Sequence, residues 1–287
     1  MDSDEADRDE NARGTRESRD SGVGDIAFAN KDVKVSLSSL PREAGLAEPS
    51  ATHFTHGFPF IALEHQIWLL TLEGKLFLSP IDQVYNVLDI CTGTGQSSSV
   101  LAFGGNAVLT LDRSMGHMYG IPENCQFEVE DVEEFPWVYS HKFDFIHARS
   151  VFACFDNTQR VINEAVASLE DNGWLEIQDW LVPMRCDDGS WDGTAIKRLV
   201  DTGTECLQKA GRVNHIGKLP DMFRKAGLAD VKEETILWPM ELNKEGLESM
   251  TLALLTRYGN MSKDEAMELI TMARVDLRDT KIHAYLP

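Results

Sequence analysis

The chain has 287 residues, 43% hydrophobic and 26% charged, and a formal net charge of −20. That length serves one large domain with additions or two small ones, and the composition is that of a globular protein. The charge excludes a general affinity for nucleic acid or an anionic membrane, because phosphate binding needs basic surface. No apolar run reaches membrane-spanning length and no secretory signal opens the sequence. The five cysteines are scattered without a CxxC pair. They read as reduced thiols in a cytoplasmic chain, with the nucleus also open.

Residues 1–24 hold eight acids and four arginines with almost no large apolar side chain. Such a segment cannot bury enough surface to offset its ordering entropy, so residues 1–50 are expected to be a disordered acidic tail and linker. A helical extension is expected over 51–82. Within it Ile61, Trp68, Leu69, Leu72 and Leu76 recur at helical spacing. Its task is to lie across a ligand cleft or to pack on the core. His53, His56 and His65 lack a third well-placed ligand, so no metal site is expected.

The centre of the chain is Val87-Leu88-Asp89-Ile90-Cys91-Thr92-Gly93-Thr94-Gly95. An apolar strand ends in a tight turn with two glycines, and Val100-Leu101-Ala102 begins a helix. Glycines let the backbone approach a ligand, and a helix start offers free N–H groups. A dinucleotide fingerprint would have a third glycine where Ser98 stands. Asp89 would also repel a pyrophosphate, so a cationic cofactor with an amino group suits the turn better. Asp112 follows at the spacing of an acid that binds ribose hydroxyls.

Alternating units continue: a helix over 96–103, strands Ala107–Leu111, Gln126–Val129, Phe143–His147 and Trp174–Gln178, and a helix capped by Asp156 or Asn157. A turn is expected at Asn172-Gly173. Strand–helix alternation predicts an α/β fold with a parallel, doubly wound sheet whose ligands bind at the carboxyl strand ends. Asp89, Asp112, Asp131, His147 and Gln178 all fall at such ends. This core is assigned to 83–182. Residues 183–287 are assigned to a helical cap that completes the same domain, with helices near 194–210, 219–226 and 245–257. A strand is expected over Val231–Leu237, and Ser262-Lys263-Asp264-Glu265 is a capping box that starts the last helix.

The chain resembles the fungal LaeA-like class I S-adenosylmethionine-dependent methyltransferases. The resemblance runs from about Leu63 to Tyr285. It rests on the motifs Leu69–Leu76, Val87–Gly95, Asn124–Glu128, Asp131–Glu134, Phe143–Arg149, Gly173–Asp179, Arg185–Gly189 and Lys281–Tyr285. It implies a Rossmann-like methyltransferase sheet with S-adenosylmethionine as cofactor. It places the cofactor's amino-acid end and ribose at Asp89, Thr92, Gly93 and Gly95, the ribose hydroxyls at Asp112, and the adenine at Asp131 and the Val132 N–H. His147 to Arg149 would line the floor. No catalytic residue is assigned; His147 is the candidate base, with Glu176 and Asp179 behind it, beside a purely structural reading of that histidine. The family usually has glycine where Cys91 stands and an apolar helix where Gln96-Ser97-Ser98-Ser99 begins. Related chains also continue into a final antiparallel strand, expected to be missing here.

Three functions follow. The first is methylation of a small-molecule intermediate of fungal secondary metabolism. The second is a methyltransferase-like regulator of secondary-metabolite genes. The third is a pseudoenzyme or cyclase on the same fold. A small-molecule acceptor is the expected partner, with a homodimer or a regulatory protein partner left open.

Overall fold

A computed structural model describes residues 58–81, 84–92, 107–112, 123–151, 153–212, 215–239 and 246–287, with the backbone alone at 58–63 and 107–112. The tail expected over 1–50, the glycines Gly93 and Gly95, and the helix expected over 96–103 lie outside the described residues.

Five strands form one sheet: β1 (Asn86–Ile90), β2 (Ala107–Asp112), β3 (Cys125–Val129), β4 (Phe143–Arg149) and β5 (Leu169–Gln178). Their order is β3-β2-β1-β4-β5 and every neighbouring pair is parallel. The near-continuous apolar run Val87-Leu88, resumed at Ile90, suits a strand covered on both faces, and it is buried throughout. On one face Leu88, Ile90, Ile146 and Ala148 pack with Val161, Ile162 and Ala165 of helix α2 (Thr158–Ser168). α2 starts where it does because the Asn157 side chain accepts the Arg160 N–H. On the other face Val87, Cys125 and Phe145 meet Phe77, Ile81 and Trp174.

Helix α1 (Phe58–Thr71) precedes the sheet. It begins earlier and ends earlier than the spacing over 61–76 predicts. Glu73 (φ 54°) and Gly74 (φ 82°) turn left-handed, and the Gly74 N–H closes the helix on the Leu69 carbonyl at 2.6 Å. After β5 come α3 (Ala195–Lys209), a 3₁₀ turn at Ile216–Lys218, α4 (Leu219–Lys225), α5 (Leu247–Tyr258) and α6 (Lys263–Asp276). α3, α5 and α6 bury Ile196, Leu199, Cys206, Leu255, Ile270 and Ala273 against one another. The capping box forms as expected. The Ser262 hydroxyl accepts the Glu265 N–H, and the Glu265 carboxylate accepts the Ser262 N–H at 2.8 Å.

Two expectations are corrected. The segment Val231–Leu237 is not a strand. Residues 232–236 are all exposed, so no face of that segment is buried, and pairing is confined to β6 (Trp238–Pro239). Its antiparallel partner is β7 (Tyr285–Leu286), in a ribbon separate from the main sheet. The described main sheet carries no antiparallel strand. Second, Asn172-Gly173 does not precede β5 but lies inside it. The ladder to β4 slips between Phe143↔Leu169 and Phe145↔Trp174, and Asn172 takes φ 68° in that bulge. Gly173 suits that place, since a Cβ would sit tightly, 3.0 Å from the Glu170 carbonyl and 3.1 Å from that of Phe143.

Candidate functional site

The strand order reverses between β1 and β4, which opens a crevice at their carboxyl ends. Asp89 of β1 and His147 of β4 are register partners across that reversal. Side chains of paired positions leave the sheet on the same side, so the pairing brings carboxylate and imidazole together. His147 Nδ1 lies 2.8 Å from Asp89 Oδ1, and both residues are 1% exposed. A carboxylate only accepts, so Nδ1 carries the proton. The opposite nitrogen, Nε2, is buried with no hydrogen-bond partner among the described residues. The Thr92 hydroxyl donates to Asp89 Oδ2 at 2.9 Å.

Both strands leave this pair through left-handed residues, Cys91 (φ 56°) after β1 and Ser150 (φ 58°) after β4. Cys91 stands where the resemblance leads one to expect glycine. The backbone shows why: an L side chain costs about 1 kcal/mol in that conformation. Strained backbone collects where a ligand site must be held in one shape.

The other expected residues are distributed along the same edge. Asp112 is the last residue of β2, and Asp131 lies two residues beyond the end of β3. Asp131 Oδ1 accepts the Glu133 N–H at 3.0 Å, and the buried Val132 gives its carbonyl to Trp137 Nε1 at 2.9 Å. Gln178 closes β5 beside Arg149, which closes β4.

Arg149 reaches partners on several elements of the edge. Its Nε donates to Gln178 Oε1 at 2.7 Å and one terminal nitrogen donates to the Leu76 carbonyl at 2.8 Å. The other faces His65 Nδ1 at 3.3 Å, and the guanidinium lies 5.5 Å from the Trp68 ring centre. Burial lowers its pKa, against the pull of Asp89, Glu64 and Glu176. Burial, then the Arg149 charge, lower the His65 pKa to about 4. Burial also lifts the Glu64 carboxyl above its ordinary value, although the Ser150 hydroxyl donates to it.

Glu176, a reserve candidate for the base, is committed elsewhere: it accepts the Leu78 and Ser79 N–H groups and the Ser79 hydroxyl. Asp179 remains. It accepts the Val151 N–H at 2.7 Å and the Trp180 N–H at 2.8 Å, and burial raises its pKa to about 8. Sequence reasoning missed Glu64 and His65, and gave Trp68 only a core role. Their signal was weak, since polar residues on a largely apolar helix reveal their neighbours only once the helix is docked. Among the described residues no group of three side chains could hold a metal ion, and no helix is long and apolar enough to cross a membrane.

A family model described as a methyltransferase domain matches residues 63–244. The chain belongs to the methyltransferase-domain family. This methyltransferase is 28% identical to a protein of Emericella nidulans named probable methyltransferase tdiE, over 79% of this chain and 78% of that one. It is also 28% identical to methyltransferase cpsF of Aspergillus campestris, over 77% and 89% of the two chains. The secondary metabolism regulator laeA of Aspergillus flavus is 23% identical over 75% of this methyltransferase and 64% of its own length. Among solved structures, the [4+2]-cyclase SpnF aligns with a TM-score of 0.46 at 18% identity, over 77% of this chain and 78% of that one.

Proposed function

We propose that this methyltransferase moves a methyl group from S-adenosylmethionine to a small-molecule intermediate of fungal secondary metabolism. The observation that carries the reading is the buried Asp89–His147 pair across the switch point, with one imidazole nitrogen that has no partner among the described residues. The donor set of the rim fits the cofactor. Asp89, Asp112 and Asp131 stand at three strand ends, and the cofactor offers them an ammonium group, ribose hydroxyls and an adenine amino group, all donors. In this reading Asp89 and Thr92, with Gly93 and Gly95, hold the amino-acid end. Asp112 holds the ribose, Asp131 and the Val132 N–H hold the adenine, and His147 and Arg149 back the methionine end.

Bound there, S-adenosylmethionine supplies an electrophilic methyl on a positive sulfur. The protein has then to align an acceptor and exclude water. Where the acceptor atom carries a proton, His147 Nε2 accepts it while Asp89 keeps the Nδ1 proton in place. Methyl transfer is supported over a regulatory role by the higher identity to the proteins named methyltransferase, tdiE and cpsF, than to the one named regulator, laeA. The test is calorimetry with S-adenosylmethionine and S-adenosylhomocysteine on the wild type and on Asp112→Ala. Binding by the wild type and its loss in the folded variant are expected. Silence at millimolar ligand refutes the cofactor assignment, and equal affinities refute the role of Asp112. Labelled methyl transfer to candidate small molecules then identifies the acceptor.

A further inference from the structure

Arg149 holds together four parts of the molecule that are far apart in sequence: β4, on which it sits, the β5 end through Gln178, the turn after α1 through the Leu76 carbonyl, and α1 itself through His65 and Trp68. The next two residues repeat the pattern. Ser150 donates to Glu64 of α1, and Val151 donates its N–H to Asp179 beyond β5. The whole exit of β4 is therefore clasped between α1 and the β5 end. α1 and the residue after it are also seated by Ile67, Trp68 and Leu72 against Trp180, Trp238 and Leu286. An apolar seat of this kind sets where a helix lies but tolerates small slides along it. The directional bonds of a planar guanidinium do not.

We propose that Arg149 is a positioning residue that makes α1 a wall of the methyl-donor cleft and holds His65 as a neutral imidazole with its proton on Nε2. The proton assignment follows from geometry. An arginine nitrogen is a donor only, so the His65 Nδ1 facing it must offer its lone pair. The charged groups acting on this pair are Glu64 from α1, Asp89 from β1 and Glu176 from β5. With Arg149 present, His65 contributes a donor and no charge to the edge at neutral pH. The cofactor's positive sulfur then has one fewer cation to oppose it.

The inference rests on the cofactor reading of the same edge, and the experiment separates the two. S-adenosylhomocysteine is titrated calorimetrically into the wild type, Arg149→Gln and Arg149→Lys, and the His65 ring is followed by NMR from pH 5.5 to 8. The wild type binds, and its His65 does not titrate in that range. Arg149→Gln loses affinity about tenfold, the scale of one charge-assisted hydrogen bond, and His65 begins to titrate within the window. Arg149→Lys keeps His65 silent, because the charge is retained, yet still binds weakly, because an ammonium cannot reproduce the fork. A purely structural arginine would lower affinity without moving the His65 titration, and that result overturns the proposal. So does a folded Arg149→Gln with wild-type affinity and a silent His65. If Arg149→Gln does not fold, Gln178→Leu removes the Nε acceptor, together with the amide's bonds to the Leu76 carbonyl and Glu176: lowered affinity with an altered His65 signal supports the proposal and wild-type behaviour overturns it. A wild type that does not bind S-adenosylhomocysteine overturns the cofactor reading instead, while the His65 titration still reports on Arg149.

Discussion

Replacing Asp179 by asparagine gives a stability difference whose sign changes with pH. In the wild type both carboxyl oxygens accept backbone N–H groups, from Val151 at 2.7 Å and Trp180 at 2.8 Å. Burial nonetheless raises the pKa from 3.8 to about 8, with the Glu64 carboxyl adding to the rise. Between these two values the native chain keeps a proton that the unfolded chain has released. Native stability from this group is therefore complete below the unfolded pKa and falls as pH rises, by about 1.4 kcal/mol per pH unit, until the folded pKa is reached. Asparagine has no such slope. It does turn one accepting oxygen into an amino group against a backbone N–H, at a cost of about 2 kcal/mol. The wild type is therefore the more stable protein near pH 4, and the two are equal between roughly pH 5 and 6. Asp179→Asn leads by about 3 kcal/mol at pH 8. Urea unfolding of both proteins at half-unit steps from pH 4.5 to 8.5 measures the difference, and every other titrating group is common to the pair. A difference that stays constant across that range refutes the assignment of a raised pKa to Asp179.

Two further substitutions test the fold. Gly173→Ala places a methyl 3.0 Å from the Glu170 carbonyl and the Leu169 side chain. It should cost about 2 kcal/mol, seen as a lowered thermal midpoint, and an unchanged midpoint would show that the β4–β5 bulge yields freely. Ser262→Ala removes the hydroxyl that caps α6. A loss of about 1 kcal/mol is expected in urea unfolding, with S-adenosylhomocysteine affinity unchanged; a change in that affinity would contradict the separation of α6 from the strand-end cleft.

The parallel sheet was legible because strand and helix patterns alternate along the chain, and that alternation leaves few other architectures. The strand-end positions of Asp89 and Asp112 were legible because each follows apolar residues of its strand, and Ser262 with Glu265 because a capping box is local chemistry. Val231–Leu237 misled because β-branched residues such as Val231, Thr235 and Ile236 favour a strand only where a face is buried, and here residues 232–236 are exposed. The bulge at Asn172-Gly173 read as a turn because a left-handed residue followed by glycine serves either purpose. Glu176 was taken for a reserve base because sequence does not show that its oxygens are already occupied by the Leu78 and Ser79 N–H groups.

Local pattern alone determined which residues stand at the strand ends and what chemistry they carry, since period, turn residues and caps act over a few positions. Register and docking decided the rest. Asp89 meets His147 only because β4 lies beside β1 at one offset, and a slip of one residue would send the imidazole to the opposite face. Arg149 reaches Leu76, His65 and Trp68, all more than seventy positions earlier, only once α1 has closed over the sheet. Interactions at that separation have no signature in a single chain, because nothing in one segment records the geometry of the other.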